Sequence, residues 1–235
     1  MISLVIPMYN EENNVENTLK RLDEVMKKLK AQYEIVVVND GSSDNTLEVL
    51  NKAQKEYKKL SILSYLPNKG PGAAFREGFT KAKGDIIITL DADLSFSPDD
   101  IPRLLEKIQD ADVVIGSQHM KGAKMINIPA WRIFVSKVAI ALDKLILNIK
   151  LTSLSSFFVA YKSNVIKNLN FVSNGFDAQP EIIVKLYKQG RKIKEIPCDL
   201  KWSDKRVNRL SLKKLLKEIK KRFELWIYLK KEQSL

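Results

Sequence analysis

The chain has 235 residues, 45% of them apolar, with one cysteine (Cys198) and one histidine (His119). Such a chain suits one large domain, or a domain with an appendage, built on a real core. One cysteine excludes an internal disulfide, one histidine excludes a multi-histidine metal site, and neither supports Ser-His-Asp chemistry.

The net charge of +12 is unevenly spread: residues 185–235 hold 17 Lys/Arg against 6 Asp/Glu, residues 1–184 hold 23 against 22. A basic end implies an anionic partner there, a phosphate-bearing surface or a nucleic acid. The opening MISLVIPMYNEENN has no basic leader and its apolar run ends in acids, so it does not read as a signal peptide. The longest apolar candidate, Ile126 to Ile149, is broken by Arg132, Lys137, Asp143 and Lys144. No membrane-spanning helix is expected, and the lone cysteine fits a reducing, cytoplasmic location.

Short apolar runs read as strands at Ile2–Met8, Tyr33–Asn39, Leu60–Leu66, Asp85–Leu90 and Asp112–Ser117. Between them, helices are predicted over Glu11–Lys30, Asn45–Tyr57, Gly72–Lys83 and Pro98–Gln109. The first carries Val15, Leu19, Leu22, Met26 and Leu29 at three- and four-residue steps, one helical face. The fourth opens Ser97-Pro98-Asp99-Asp100, with a capping serine, an early proline and acids that suit the helix dipole. This alternation predicts an α/β fold with a mainly parallel sheet covered on both faces.

From about residue 120 the pattern changes. An amphipathic helix is predicted over Ala130–Leu147, then an apolar stretch at Phe157–Tyr161, a helix near Pro180–Gln189 and a strand over Lys192–Leu200. Residues 210–235 read as a basic amphipathic helix, with Leu212, Leu215, Leu216, Ile219, Phe223, Trp226 and Ile227 as its apolar stripe.

Asp91-Ala92-Asp93 ends the apolar run Ile86–Leu90. Two carboxylates there are costly to desolvate unless something positive meets them. A divalent cation carrying a nucleotide diphosphate answers that need, since Mg²⁺ and Mn²⁺ favour oxygen ligands and substrate phosphates. Capping of the next helix is the alternative. Asp40 closes the second strand, where ligands of parallel sheets bind; Ser43 and Asp44 beyond it suit helix capping. Asn68-Lys69-Gly70-Pro71-Gly72 precedes a helix and offers amides and a lysine to an anion. It lacks both the dinucleotide fingerprint and the P-loop spacing.

Taken in order, Val5-Ile6-Pro7-Met8-Tyr9-Asn10-Glu11-Glu12, Val38-Asn39-Asp40-Gly41-Ser42-Ser43-Asp44, Asn68–Ala74 and Leu90-Asp91-Ala92-Asp93-Leu94 resemble the family 2 glycosyltransferases. Within these, the chain is similar to dolichol-phosphate mannose synthases and related polyprenyl-phosphate glycosyltransferases. The resemblance implies the Rossmann-like GT-A fold with amphipathic interface helices. It also implies a catalytic domain over 1–209, with a nucleotide-sugar half (1–117) and an acceptor half (118–209). Pro7, Tyr9, Glu11, Val38, Asp40, Lys69, Gly70, Asp91, Ala92 and Asp93 match the nucleotide-sugar site. Asp93, with Asp91 and Ser95, matches the metal position for Mg²⁺ or Mn²⁺; relatives usually carry Gln where Ser95 stands. Arg132 and Ser136, with Arg206 and Ser211, match segments that hold the lipid phosphate, and Asp91, Asp93, Arg132 and Arg206 would carry catalysis.

Three further departures are visible. Gln118 replaces the usual Arg, Arg209 replaces a Gly, and Thr152-Ser153-Leu154-Ser155-Ser156-Phe157 replaces Asp-x-x-Ser-Gly-Phe. The implied reaction is inverting, metal-dependent transfer of a sugar to a polyprenyl or dolichyl phosphate at the cytoplasmic membrane face. The favoured donor is GDP-mannose, then UDP-glucose, with an anionic membrane surface as partner. Transfer to a saccharide hydroxyl is the alternative, with Asp177 and Glu181 as its candidate bases. A basic nucleic-acid-binding protein is a third reading, disfavoured by the near-neutral first 184 residues.

Overall fold

Alternation of side chains along each strand dictates the architecture, because the first strands are apolar on both faces. The computed structural model describes residues 1–202 with Phe223, Glu224, Trp226 and Ile227. Its first half runs β1 (Ile2–Met8), α1 (Val15–Lys28), β2 (Tyr33–Asp40), α2 (Thr46–Glu56), β3 (Leu60–Tyr65), α3 (Pro71–Lys81), β4 (Ile86–Thr89), α4 (Ile101–Lys107) and β5 (Val113–Ser117). The second half runs β6 (Met125–Ile126), α5 (Ala130–Leu147), β7 (Val159–Lys162), α6 (Ser163–Lys167), α7 (Ala178–Lys188), β8 (Ile193–Pro197) and β9 (Leu200–Lys201).

Seven strands form one sheet in the order β3-β2-β1-β4-β7-β5-β8, and β6 pairs with β9. All neighbours in the large sheet are parallel except β7, which runs antiparallel between β4 and β5. Leu4, Ile6, Met8, Ile35 and Val37 face a layer containing Leu19, Leu22, Met26, Leu50 and Leu104. Val5, Val36 and Ile87 face the other way, onto Phe75, Phe79, Ile182 and Ile183. Successive residues thus serve opposite layers, as a doubly covered sheet requires.

Several boundaries differ from expectation for identifiable reasons. The helix predicted from Glu11 begins at Val15, because Glu11 and Glu12 are engaged with the loop after β2. Pro98–Gln109 divides into a 3-10 turn (Pro98–Asp100), α4 and a second 3-10 turn (Ile108–Asp110). Pro102 is tolerated only in a first helical turn, which fixes the start of α4 at Ile101. The predicted strand Lys192–Leu200 splits after Pro197, which has no N–H to continue a ladder. The helix over Ala130–Leu147 is found as predicted, ended by Asn148 in the left-handed conformation.

Of the C-terminal helix, Phe223–Glu224 and Trp226–Ile227 are helical and the rest lies outside the described residues. Trp226 is buried in the layer formed by α3, α5 and α7. Its Nε1–H donates to the buried Asp143 Oδ1 of α5 at 3.0 Å.

The close seat of α3 on β1 and β2 positions the loop before it, and Gly78 makes that seat possible. A Cβ there would lie 2.4 Å from Val5 Cγ1. Gly78→Ala is therefore expected to destabilise the fold by about 1–3 kcal/mol through overpacking. Urea unfolding measures this; an unchanged midpoint would show that α3 has room to shift.

Candidate active site

Strands β2, β1 and β4 lie side by side and parallel, so the loops after them meet at one edge. The loops after β1 and β2 lock together through polar groups. Asn10, at φ 55°, accepts from the Ser43 amide at 2.8 Å, and its own amide donates to Ser42 Oγ at 3.0 Å. The Glu11 amide donates to Thr46 Oγ1 at 2.8 Å, and Glu12 Oε2 accepts from the Asn45 amide at 3.0 Å. Asp44 Oδ1 accepts from the Thr46 amide at 3.0 Å, a cap on the first turn of α2. Burial would raise the Asp44 carboxyl, but bonds from Thr46 and the Glu12 amide hold it below the usual range. Tyr9 is exposed at the mouth of this wall.

Asp40 ends β2 only 2% exposed. Its Oδ1 accepts the Lys69 amide and its Oδ2 the Gly70 amide and Asn68 Nδ2, each at 2.8 Å. The carboxylate is thus saturated by the loop before α3 and sets that loop's shape. Gly70 is required there: at φ 99°, a Cβ would sit 2.4 Å from the Asn174 carbonyl. Lys69 Nζ lies over the Tyr65 ring, 4.7 Å from its centroid.

The segment 171–175 straps this loop from the other side. The Gly72 amide donates to the Asn174 carbonyl at 2.7 Å. Arg76 donates to the Phe171 and Ser173 carbonyls. Glu181, fully buried, accepts the Val172 and Ser173 amides at 3.0 and 2.8 Å and pairs with Lys185. Its oxygens are committed to the strap, which removes Glu181 as a candidate base. Val38 is fully buried, its Cγ2 facing Gly78 of α3, so it offers a ligand only its backbone.

Beyond β4 the chain turns sharply at Leu94, φ 51°, whose amide donates to the Asp91 carbonyl. Asp93 Oδ1 accepts Ser95 Oγ at 2.6 Å and the Ser95 amide at 3.2 Å. Thr18 of α1 donates to the Ala92 carbonyl at 2.5 Å and pins the turn to the domain. Asp91, Asp93 and Ser95 present only hard oxygen donors on one turn. Among the described residues, no group of three or more His, Cys, Asp or Glu is gathered to hold a metal ion. That donor set suits Mg²⁺ or Mn²⁺ bound by one or two carboxylates and completed by substrate phosphates, not a closed protein cage.

The segments after β5 adjoin this turn through β9. The Lys201 amide donates to the Ser95 carbonyl at 2.9 Å, and the Trp202 amide to the Ile126 carbonyl at 3.0 Å. The Trp202 ring lies against the Arg132 guanidinium, 4.0 Å from centroid to Cζ, with Trp131 at 5.0 Å. One turn further along α5, Ser136 Oγ meets His119 Nε2 at 3.0 Å. The substituted 152–157 segment is anchored by Glu195, which accepts from the Thr152 amide, the Thr152 hydroxyl and the Ser153 amide at 2.8–3.0 Å. Thr152 Oγ1 also meets Ser117 Oγ at 2.7 Å, at the end of β5 beside Gln118. Arg206 and Ser211 lie outside the described residues.

Sequence reasoning missed Asn68, Trp202 and His119. The first two had no local signal, since their partners lie 28 and 70 residues away. Asp40→Asn, which puts an N–H where an acceptor is needed, is expected to cost about 1–3 kcal/mol of stability. It should also weaken nucleotide-sugar binding. Denaturation and calorimetry check both; wild-type values for each would show that Asp40 does not shape the loop.

The family described as Glycosyl transferase family 2 matches residues 3–169. A dolichol-phosphate mannosyltransferase of Pyrococcus furiosus is 35% identical over 201 residues, 83% of this chain and 55% of the relative. An undecaprenyl-phosphate mannosyltransferase of Micrococcus luteus is 29% identical over 82% of this chain and 80% of its own length. This chain therefore spans little more than half of the Pyrococcus relative. Among solved structures, glucosyl-3-phosphoglycerate synthase of Mycobacterium tuberculosis, in complex with Mn²⁺, uridine diphosphate and phosphoglyceric acid, superposes with a TM-score of 0.70. That match covers 92% of this chain and 73% of that one at 16% identity, and so bears on the fold alone. With a family match over residues 3–169 and a relative 35% identical over 83% of its length, the chain belongs to glycosyl transferase family 2.

Proposed function

We propose that the chain transfers a hexose from a nucleotide diphosphate donor to a polyprenyl or dolichyl phosphate, with inversion, at the cytoplasmic face of a membrane. GDP-mannose is the favoured donor, in keeping with the mannosyltransferase relatives; UDP-glucose is next. The observation that carries this reading is Arg132, stacked on Trp202 one residue beyond the amide that bonds the Asp91–Ser95 turn. A guanidinium resting on the segment that is bonded to the acidic turn supports an anionic nucleophile.

In the proposed mechanism, the loops at 9–12 and 41–46 and the loop at 68–70 hold the nucleotide. Asp91, Asp93 and Ser95 would hold a divalent cation, which supplies neutralisation of charge on the departing diphosphate. Arg132, joined by Arg206, aims the acceptor phosphate at the anomeric carbon with paired donors. A phosphate oxygen then forms the new bond to that carbon as the bond to the donor's β-phosphate breaks, and the nucleoside diphosphate leaves. The nucleophile is already an anion at neutral pH, so no side chain need take a proton. The hydroxyl-acceptor alternative needs such a base, and the commitment of Glu181 to the strap leaves Asp177 as its candidate.

Membrane association draws support from α5. Trp131, Phe134, Val138, Leu142 and Leu145 are exposed along it, Phe134 at 68% and Leu145 at 80%. No helix among the described residues is long and apolar enough to cross a membrane, so this row suits attachment in the interfacial plane.

Two predictions test the reading. With farnesyl phosphate, GDP-mannose and Mn²⁺, wild type should release GDP and form the lipid-linked sugar, while Asp93→Ala should lose at least about 100-fold in rate. Product from both proteins, or transfer only to sugar alcohols, would reject the mechanism. In flotation with vesicles containing anionic lipid, Phe134→Glu/Leu145→Glu should shift the protein from the floated to the free fraction. Equal flotation of the variant and wild type would detach α5 from the membrane role.

A further inference from the structure

The end of β5 carries polar atoms that the family resemblance does not explain. Gln118 stands where the resemblance implies an arginine, and its Oε1 is buried with no hydrogen-bond partner. The next residue, His119, is half-buried and has an equally unpartnered, buried Nδ1. Its other nitrogen, Nε2, lies 3.0 Å from Ser136 Oγ, and its backbone amide donates to Ser117 Oγ at 3.2 Å. The imidazole is therefore held through Nε2, and the backbone that carries it through its amide. Ser136 follows Arg132 by four residues on α5, so the ring stands one helical turn from the stacked guanidinium. Unmet polar atoms in a native site call for a partner, and an unmet imidazole nitrogen near an arginine suits an anionic occupant, whereas Gln118 Oε1, itself an acceptor, has no part in such a contact.

We infer that His119 is a phosphate-binding residue, its Nδ1–H donating to an oxygen of the acceptor's phosphate monoester while Ser136 fixes the ring through Nε2. This deepens the proposed function and rests on its phosphate acceptor. Ser136 then acts on the ring rather than on the phosphate directly. A hydroxyl that donates to Nε2 forces the proton onto Nδ1, the tautomer that an acceptor-only phosphate oxygen selects. Burial, and after it the charge of Lys137, lowers the His119 pKa, so the resting ring is neutral at pH 7. A neutral donor adds direction to the site without a second full charge to desolvate. Histidine at 119 thereby makes up for part of what Gln118 lacks.

The test uses the full chain as wild type, His119→Ala, His119→Asn and His119→Gln, with farnesyl phosphate or 3-phosphoglycerate as acceptor. An asparagine amide reaches the position of Nδ1, whereas a glutamine amide reaches that of Nε2. His119→Ala should raise the acceptor KM about 10-fold or more, the worth of one hydrogen bond to a charged group, with kcat and the donor KM nearly unchanged. His119→Asn should recover most of the loss and His119→Gln little of it, with all three unfolding near the wild-type temperature. If wild type transfers to farnesyl phosphate and His119→Ala keeps its KM, the inference falls while the proposed function stands. Loss of kcat alone, or equal rescue by Asn and Gln, also overturns it. A KM effect seen with 3-phosphoglycerate, with farnesyl phosphate inert, would keep the phosphate contact and reject the lipid acceptor. Transfer to neither phosphate by wild type would overturn both.

Discussion

A carboxylate at the end of a buried strand must be met by donors or by a cation, and this chain meets that demand at two strands of one sheet. At β2 the answer is internal: the amides of Lys69 and Gly70 and the side chain of Asn68 surround Asp40. Each of those bonds also fixes the backbone leading into α3, so one buried charge organises a whole loop. Gly41 shares in this, since a Cβ on it would lie 2.4 Å from the Asn68 amide nitrogen. At β4 the chain turns back on itself, with Ser95 bonded to one oxygen of Asp93. The two solutions stand on the same sheet edge with β1 between them.

The segments around Arg132 repeat the theme with opposite charge. The Arg132 guanidinium sits over the Trp202 ring, 4.0 Å from its centroid, where the ring face favours a cation. Trp202 is held by its amide bond to Ile126, and its neighbour Lys201 by an amide bond to Ser95. The short β6–β9 pair therefore ties the acidic turn to the basic one through backbone, which a shift of side chains alone would not loosen. Glu181 and Arg76 do similar work on the 171–175 strap, so the pocket walls are cross-braced by charges spent on structure.

Much of this was legible in the sequence where the signal was local. The strand Ile2–Met8 and the helix Ala130–Leu147 have the predicted limits, the helix because Pro129 and Asn148 punctuate it. The motifs at 9–12, 40–46, 68–72 and 91–95 fall at strand ends because short apolar runs bounded by polar turns leave few other registers. What escaped depended on distant partners. The apolar run at Phe157 gives no hint that β7 inserts antiparallel between β4 and β5. The resemblance assigned Val38 to the nucleotide site, and alternation turns its side chain toward α3. The resemblance assigned Ser136 to the phosphate, and only the fold reveals His119 beside it.

We propose that the Asp91–Ser95 turn, flanked by the loops at 9–12 and 68–70, binds a nucleotide diphosphate together with a divalent cation. Isothermal titration of wild type with GDP-mannose and UDP-glucose, with and without Mn²⁺, measures this. At least one sugar nucleotide should bind saturably and about 10-fold or more tightly with Mn²⁺, and Asp93→Ala should lose that metal dependence. Heats indistinguishable from dilution for both nucleotides, with and without the metal, would rule out such a site.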